Sequence, residues 1–225
     1  MRPHLFLSSC LLAVLVPVAA GAAAVDGRAI VERGNGRGAN ACATCHGANG
    51  IGLAGAVFVR LAGLNEAYIA KQLHDFKQGT RDNPVMKPMA AALNDAEIAA
   101  VARYYASQPA PKVPAEQPAA AALIARGEAL ARDGIWEKDV PACFQCHGPN
   151  GKGVPPHFPA IAGQPSGYIV EQLDAWRAGR RNNDPVGLMK AVAERLSADD
   201  IKAVSVFLAS FSATPHAGDK PWTAR

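Results

Sequence analysis

The pattern Cys-x-x-Cys-His occurs twice in this 225-residue chain, at an offset of about 100 residues, and no other feature constrains its folding as strongly. The two copies are formed by Cys42, Cys45 and His46 and by Cys143, Cys146 and His147. On a helical turn, positions i, i+3 and i+4 lie on one face. Two sulfurs can therefore bond one porphyrin while the imidazole reaches its iron. The pattern predicts two covalently bound haem c groups.

Other uses of paired cysteines fit the spacing less well. A zinc ribbon usually places its second pair some 15–20 residues after the first, whereas 97 residues separate Cys45 from Cys143. A thioredoxin-like redox pair requires alternating strands and helices, and no stretch of the sequence alternates as a strand does. The one remaining cysteine, Cys10, lies in the predicted leader. Haem attachment is therefore the favoured interpretation of all four sulfurs.

The two copies belong to a longer internal repeat. Residues 27–34 match residues 127–134, and the Tyr-x-x-x-Gln-Leu segment at Tyr68 matches the one at Tyr168. The offset grows from 100 to 103 further on, so that Met86 corresponds to Met189, and a short insertion near Asn182 explains the change. Two copies of this length predict tandem domains, because a solenoid needs shorter and more numerous repeats.

The chain divides into five predicted segments. Arg2 and His4 precede an uncharged run that ends in small residues, which is typical of an export signal. An uncleaved membrane anchor is the alternative, since about 20 uncharged residues can span a bilayer. Four prolines favour a stiff, extended connection between the domains. The predicted segments are a signal peptide (1–24), domain 1 (25–107), a linker (108–122), domain 2 (123–213) and a C-terminal tail (214–225).

The periodicity in both domains predicts an all-α fold. We expect a helix capped by Asn65 or Ser166 and stopped at Gly79 or Gly179. The closing helix of each domain should begin at a cap residue that has an acidic residue three positions later. These caps are Asn94 with Glu97 and Ser197 with Asp200. The apolar faces of the closing helices are predicted to be Ile98, Val101, Tyr104 and Tyr105, and Ile201, Val204, Phe207 and Leu208.

A sixth iron ligand is predicted from the repeat. Met86 and Met189 occupy equivalent places before the closing helices, whereas Met89 has no methionine partner. Methionine also fills gaps in cores, so a structural role is the alternative. His74 and His157 have Asp174 and Val57 as partners, and we expect them to be surface residues rather than ligands.

The attachment motif near the start, the glycine-rich loop after it and the methionine before a closing helix together resemble class I cytochrome c. Two such domains in tandem resemble the cytochrome c4 family, over about residues 26–212. The resemblance implies that the Pro159 carbonyl accepts a hydrogen bond from the haem-ligating histidine, an interaction that orients the ligand. Val59 stands at that place in domain 1. It also implies that the haem propionates meet at the domain interface.

Arg81 and Arg181 are equivalent in the repeat and lie near the methionine segments. They are candidates to pair with the haem propionates as charge-assisted donors. Solvated surface arginines are the alternative.

With histidine on one side and methionine on the other, each iron has no open position for a substrate, which favours electron transfer over catalysis. We therefore expect a periplasmic di-haem carrier, not an enzyme, between a respiratory donor and a terminal oxidase or reductase. The alternatives are the electron-accepting subunit of a periplasmic dehydrogenase and a di-haem peroxidase. The expected partners are redox proteins. The net charge of +4 is modest and indicates no nucleic-acid partner, and membrane contact is expected only if the leader is uncleaved.

Overall fold

The computed structural model describes residues 24–52, 58–110 and 119–210. All but the last residue of the predicted leader, most of the linker and all of the C-terminal tail lie outside these residues. Within them the protein is helical, and only isolated bridges occur in place of strands. None of the described helices is long and apolar enough to cross a membrane. The all-α prediction is confirmed.

Each half of the chain contributes five α-helices to the described residues. Those of the first half are α1 (Gly27–Arg33), α2 (Ala43–His46), α3 (Glu66–Gln78), α4 (Met86–Ala91) and α5 (Asp95–Ala106). Those of the second half are α6 (Ala121–Asp133), α7 (Cys143–His147), α8 (Ser166–Arg177), α9 (Leu188–Arg195) and α10 (Ala198–Ser210). Two short 3₁₀ helices, Trp136–Lys138 and Pro149–Gly151, flank α7. Helix α6 begins inside the range predicted as linker.

The helix ends follow the predicted caps with one correction. The Asn65 side chain accepts from the Tyr68 nitrogen at 3.2 Å, and Gly79 closes α3 in the left-handed conformation with φ 84°. In domain 2 the prediction of Ser166 as the cap is wrong. Pro165 is the extended residue before α8, and Ser166 is already its first helical residue. Proline is restricted to φ near −65°, so the chain turns into the helix one residue earlier.

The closing helices confirm the capping prediction. The Asn94 side chain accepts from the Glu97 nitrogen at 2.9 Å, and the Glu97 carboxylate accepts from the Asn94 nitrogen at 2.9 Å. Ser197 and Asp200 form the same reciprocal pair in domain 2. The predicted apolar faces are buried, except that Tyr104 is only partly buried.

A glycine allows the first and last helices of each domain to cross closely. A Cβ on Gly27 would lie 2.1 Å from the carbonyl oxygen of Ala100, and one on Gly127 would lie 2.2 Å from that of Ala203. No larger side chain fits at these distances. The crossing brings α1 onto α5 and α6 onto α10. Each pair closes a separate apolar core, on which the attachment helix of that domain rests.

The two domains meet at equivalent residues. Arg81 and Arg181 form an isolated antiparallel bridge. The Asp82 nitrogen donates to the Arg180 carbonyl oxygen at 2.7 Å, and the Asn182 nitrogen donates to the Thr80 carbonyl oxygen at 2.7 Å. The contact therefore has approximate two-fold symmetry. The residues that form it are equivalent in the two repeats, at the sequence offset of 100.

Candidate functional site

The attachment motifs lie on the short helices α2 and α7. The cysteines at Cys42, Cys45, Cys143 and Cys146 are partly exposed, and none of these four forms a disulfide. Burial raises the pKa of the Cys143 thiol to about 12, which disfavours a thiolate at that position. Among the described residues, no three histidine, cysteine or acidic side chains come together in a group able to hold a bare metal ion. The four cysteines are therefore free for covalent attachment.

Both motif histidines are buried and oriented by a backbone carbonyl. His147 Nδ1 lies 2.8 Å from the Pro159 oxygen, and His46 Nδ1 lies 3.2 Å from the Val59 oxygen. Burial lowers the pKa of both rings, so the neutral form is favoured. With Nδ1 protonated toward the carbonyl, the lone pair of Nε2 is free for a metal. The contact expected at Pro159 is present, and valine replaces proline in domain 1 without its loss.

In domain 2 the predicted site residues line a single cavity of about 990 Å³, including its opening to solvent. They are Cys143, Cys146, His147 and Met189. The remaining wall is mostly apolar and includes Val59, Leu64 and Tyr68 of domain 1. Domain 1 therefore closes part of the domain 2 cavity.

In domain 1, Cys42 and Met86 pack against the same apolar core, and His46 is buried beside it. Met86 is the first residue of α4, and Met189 is the second residue of α9. His74 is partly buried and His157 is exposed, and neither lines the domain 2 cavity.

Arg81 and Arg181 are only 6% and 4% exposed, so the alternative that they are solvated surface arginines is wrong. Arg81 donates to Tyr168 at 3.0 Å, and Arg181 donates to Tyr68 at 3.2 Å. Each also donates to the glutamine of its own domain at 2.9 Å. Arg81 donates to Gln72, and Arg181 donates to Gln172. The sequence could not show this, because the burial arises only where the two domains meet.

The interface cations and one indole provide donors suited to haem propionates. Neither Arg81 nor Arg181 forms a salt bridge with another described residue, and their hydrogen-bond partners are neutral. Burial and then the neighbouring Arg81 lower the pKa of Arg181. Trp176 lines the cavity, and its buried Nε1 has no hydrogen-bond partner. Arg181 lines the same cavity. Because buried donors normally find acceptors, a carboxylate such as a haem propionate fits beside Trp176 and Arg181.

From the sequence, the interface tyrosines and glutamines were apparent only as part of the internal repeat. Tyr68 and Gln72, like Tyr168 and Gln172, are four residues apart and so share one helix face. The repetition of this polar pair in both domains was the available signal for a polar interface. Their partners on the opposite domain depend on the domain arrangement and were not predictable.

Comparison with known proteins agrees with this arrangement. The family model for cytochrome c matches residues 31–108 and 124–212. A thiosulfate dehydrogenase electron acceptor from Stutzerimonas stutzeri is 47% identical over 84% of this chain and 88% of its own length. The solved structure of reduced recombinant cytochrome c4 from Pseudomonas stutzeri has a TM-score of 0.69 and 36% identity, and the match covers 76% of this chain and 93% of that chain.

A second solved structure, thiosulfate dehydrogenase from Marichromatium purpuratum in its as-isolated form, has a TM-score of 0.77 and 44% identity. The match covers 85% of this chain but only 41% of that longer chain. Repeat, fold and site geometry thus agree with the similarities. The chain belongs to the cytochrome c family and is a cytochrome c4-like electron-transfer protein, with two tandem class I domains and two covalently bound haem c groups.

Proposed function

We propose that each domain holds its haem through the residues of its own repeat. In this assignment the thioethers form at Cys42 and Cys45 and at Cys143 and Cys146, and the axial ligands are His46 with Met86 and His147 with Met189. The cavity of domain 2 supports the proposal, because all four residues assigned in that domain line it: Cys143, Cys146, His147 and Met189. The haem supplies reversible one-electron chemistry when bound.

The ligands and the residues around them have four tasks in this proposal. The Val59 and Pro159 carbonyls orient the histidine rings. The apolar wall excludes water, and the methionine thioether is a soft ligand that raises a haem potential relative to a second histidine. Arg81 and Arg181 place two positive charges where the domains meet. With both axial positions filled by side chains, the protein offers no site for substrate, and a carrier role follows.

For the donor, we propose a periplasmic dehydrogenase that oxidises thiosulfate. The observation that carries this step is the 47% identity to the Stutzerimonas electron acceptor over most of both chains. A dehydrogenase that removes two electrons per turnover would deliver one to each haem. The second candidate is a general shuttle to a terminal oxidase or reductase, supported by the similarity to cytochrome c4. Export to the periplasm by the 1–24 leader belongs to the proposal in either case.

The test uses the purified, oxidised full chain with thiosulfate and a catalytic amount of a purified thiosulfate dehydrogenase. We expect the reduced α-band to grow to the amplitude that ascorbate produces, with both enzyme and thiosulfate required. A mono-haem class I cytochrome c at equal haem concentration is the control, and it should be reduced more slowly. No reduction of a protein that ascorbate does reduce would contradict the thiosulfate assignment and favour the general shuttle. Cell fractionation tests the location.

A further inference from the structure

A second contact between the domains breaks the symmetry of the repeat. Arg60 and Gln164 are 2% and 3% exposed and lie against each other across the domain boundary. The Arg60 nitrogen donates to Gln164 Oε1 at 3.0 Å, and Gln164 Nε2 donates to the Arg60 carbonyl oxygen at 2.9 Å. Their repeat counterparts, Ala160 and Leu64, have no polar side-chain atoms. The repeat therefore provides no second, symmetric copy of this contact.

The Arg60 guanidinium adds a second bridge. Its Nη2 donates to the Ala162 carbonyl oxygen of domain 2 at 3.0 Å, and its Nη1 donates to the Ala62 carbonyl oxygen of domain 1. It forms no salt bridge within the described residues, and its Nε has no hydrogen-bond partner there. Burial lowers the pKa of Arg60 to about 10. A buried cation without a carboxylate is costly, so its retention calls for a compensating role.

The joined segments are the ones that orient the histidines. Val59, whose oxygen faces His46, precedes Arg60, and Pro159, whose oxygen faces His147, lies near Ala162 in the equivalent segment. Both segments are also tied to a glycine in the loop after their attachment helix. The Leu61 and Ala62 nitrogens donate to Gly50, and the equivalent nitrogens of domain 2 donate to Gly151. The contact thus connects the two backbone segments that orient the histidines.

We infer that Arg60 and Gln164 are positioning residues that act as one interdomain clamp. The clamp holds the two histidine-orienting segments, and with them the two haem domains, in one fixed arrangement for electron exchange. It is separate from the Arg81 and Arg181 contact, and it does not depend on which protein donates the electrons.

The test measures opening of the domains at a place the clamp does not touch. The amides of Asp82 and Asn182 donate across the other contact at 2.7 Å each, so their hydrogen exchange in the ferrous, diamagnetic protein reports domain opening. Arg60→Ala and Gln164→Leu each introduce the residue that the opposite domain carries at the equivalent position. Both are compatible with the local backbone for that reason.

We expect both variants to speed exchange of these two amides by roughly 5- to 150-fold, the usual range for coupling between packed elements. The double variant should speed exchange by less than the product of the two single effects, because both sets of bonds hold the same domain boundary. Arg60→Lys, which keeps the cation but not its planar fork, should rescue exchange in part. Arg103→Ala, which removes an exposed arginine of the same domain, should leave exchange unchanged.

Two results would overturn the clamp. In the first, exchange increases only at the Leu61 and Ala62 amides, which would assign Arg60 to the local fold of domain 1. In the second, the effects of Arg60→Ala and Gln164→Leu add independently. If Arg60→Ala does not mature, Gln164→Leu and Arg60→Lys give the same decision, since each weakens one half of the clamp.

Discussion

Removing the charge of Asp200 should destabilise the protein in a pH-dependent way. Asp200 is 2% exposed at the start of the closing helix α10. Its Oδ2 accepts from the Ser197 nitrogen at 3.0 Å, the Ser197 hydroxyl at 2.7 Å and Lys138 Nζ at 3.0 Å. Its Oδ1 accepts from Arg126 at 2.7 Å. Asparagine keeps one acceptor oxygen but turns an amide nitrogen toward this ring of donors.

The magnitude follows from these contacts. Asp200→Asn loses at least one charge-assisted hydrogen bond, which contributes about 1.5–3 kcal/mol. Arg126 and Lys138 keep part of their side chains in solvent, so their ion pairs add little. We expect the free energy of unfolding to fall by about 2–3 kcal/mol at neutral pH, as measured by denaturant titration.

The pH dependence has a definite sign. Burial alone would raise the pKa of Asp200, but hydrogen bonds from Ser197, Arg126 and Lys138 lower it well below its usual range. A depressed folded-state pKa contributes stability above the unfolded pKa of about 3.9. That contribution is lost as the pH falls through the folded pKa. The difference between wild type and Asp200→Asn should therefore be constant from neutral pH to about 5 and should narrow below about 4.

Asp199→Asn is the matched control, because it removes the same charge from the same helix turn at an exposed position. Glu97→Gln is the equivalent change in domain 1, where Glu97 accepts from Asn94 and Arg37, and it should show the same trend. Equal losses for Asp199→Asn and Asp200→Asn, or a difference that stays constant down to pH 3, would refute the reasoning.

The remaining predictions concern the iron ligands and the helix crossing. Met86→Ala and Met189→Ala should each remove half of the weak near-infrared band of methionine-ligated ferric haem, whereas Met89→Ala should leave it intact; an unchanged band in either of the first two variants would contradict that ligand. Gly127→Ala places a Cβ 2.2 Å from the Ala203 oxygen and should cost about 1–3 kcal/mol in a denaturant titration. An unaltered denaturation midpoint would contradict the close crossing of α6 and α10.

Local sequence signals predicted most of the fold. The residue types at Asn94 and Glu97 specify a helix start on their own, and so do those at Ser197 and Asp200. The apolar spacing of the closing helices predicted their buried faces for the same reason, since it depends only on helix geometry. The exception, Ser166, shows one local rule overriding another. The proline before it, Pro165, fixes the turn into α8 and takes the place of the cap.

The partners and the burial of the interface residues could not be predicted, because their environment is created by domain docking. Nothing local distinguishes Arg81 from an exposed arginine, yet it is buried against Tyr168 of the other domain. Arg60 and Gln164 did leave a signal, since at both positions one repeat has a polar side chain and the other has an apolar one. Only the structure shows that these two residues contact each other.

The most direct test of the di-haem assignment is the intact mass of the purified protein after acid-acetone extraction. Thioether bonds survive this treatment, and non-covalent haem is washed into the solvent. We predict a polypeptide mass increased by two haems, with the colour retained in the protein precipitate. A mass equal to the bare polypeptide, with all colour in the solvent, would contradict covalent attachment at both motifs.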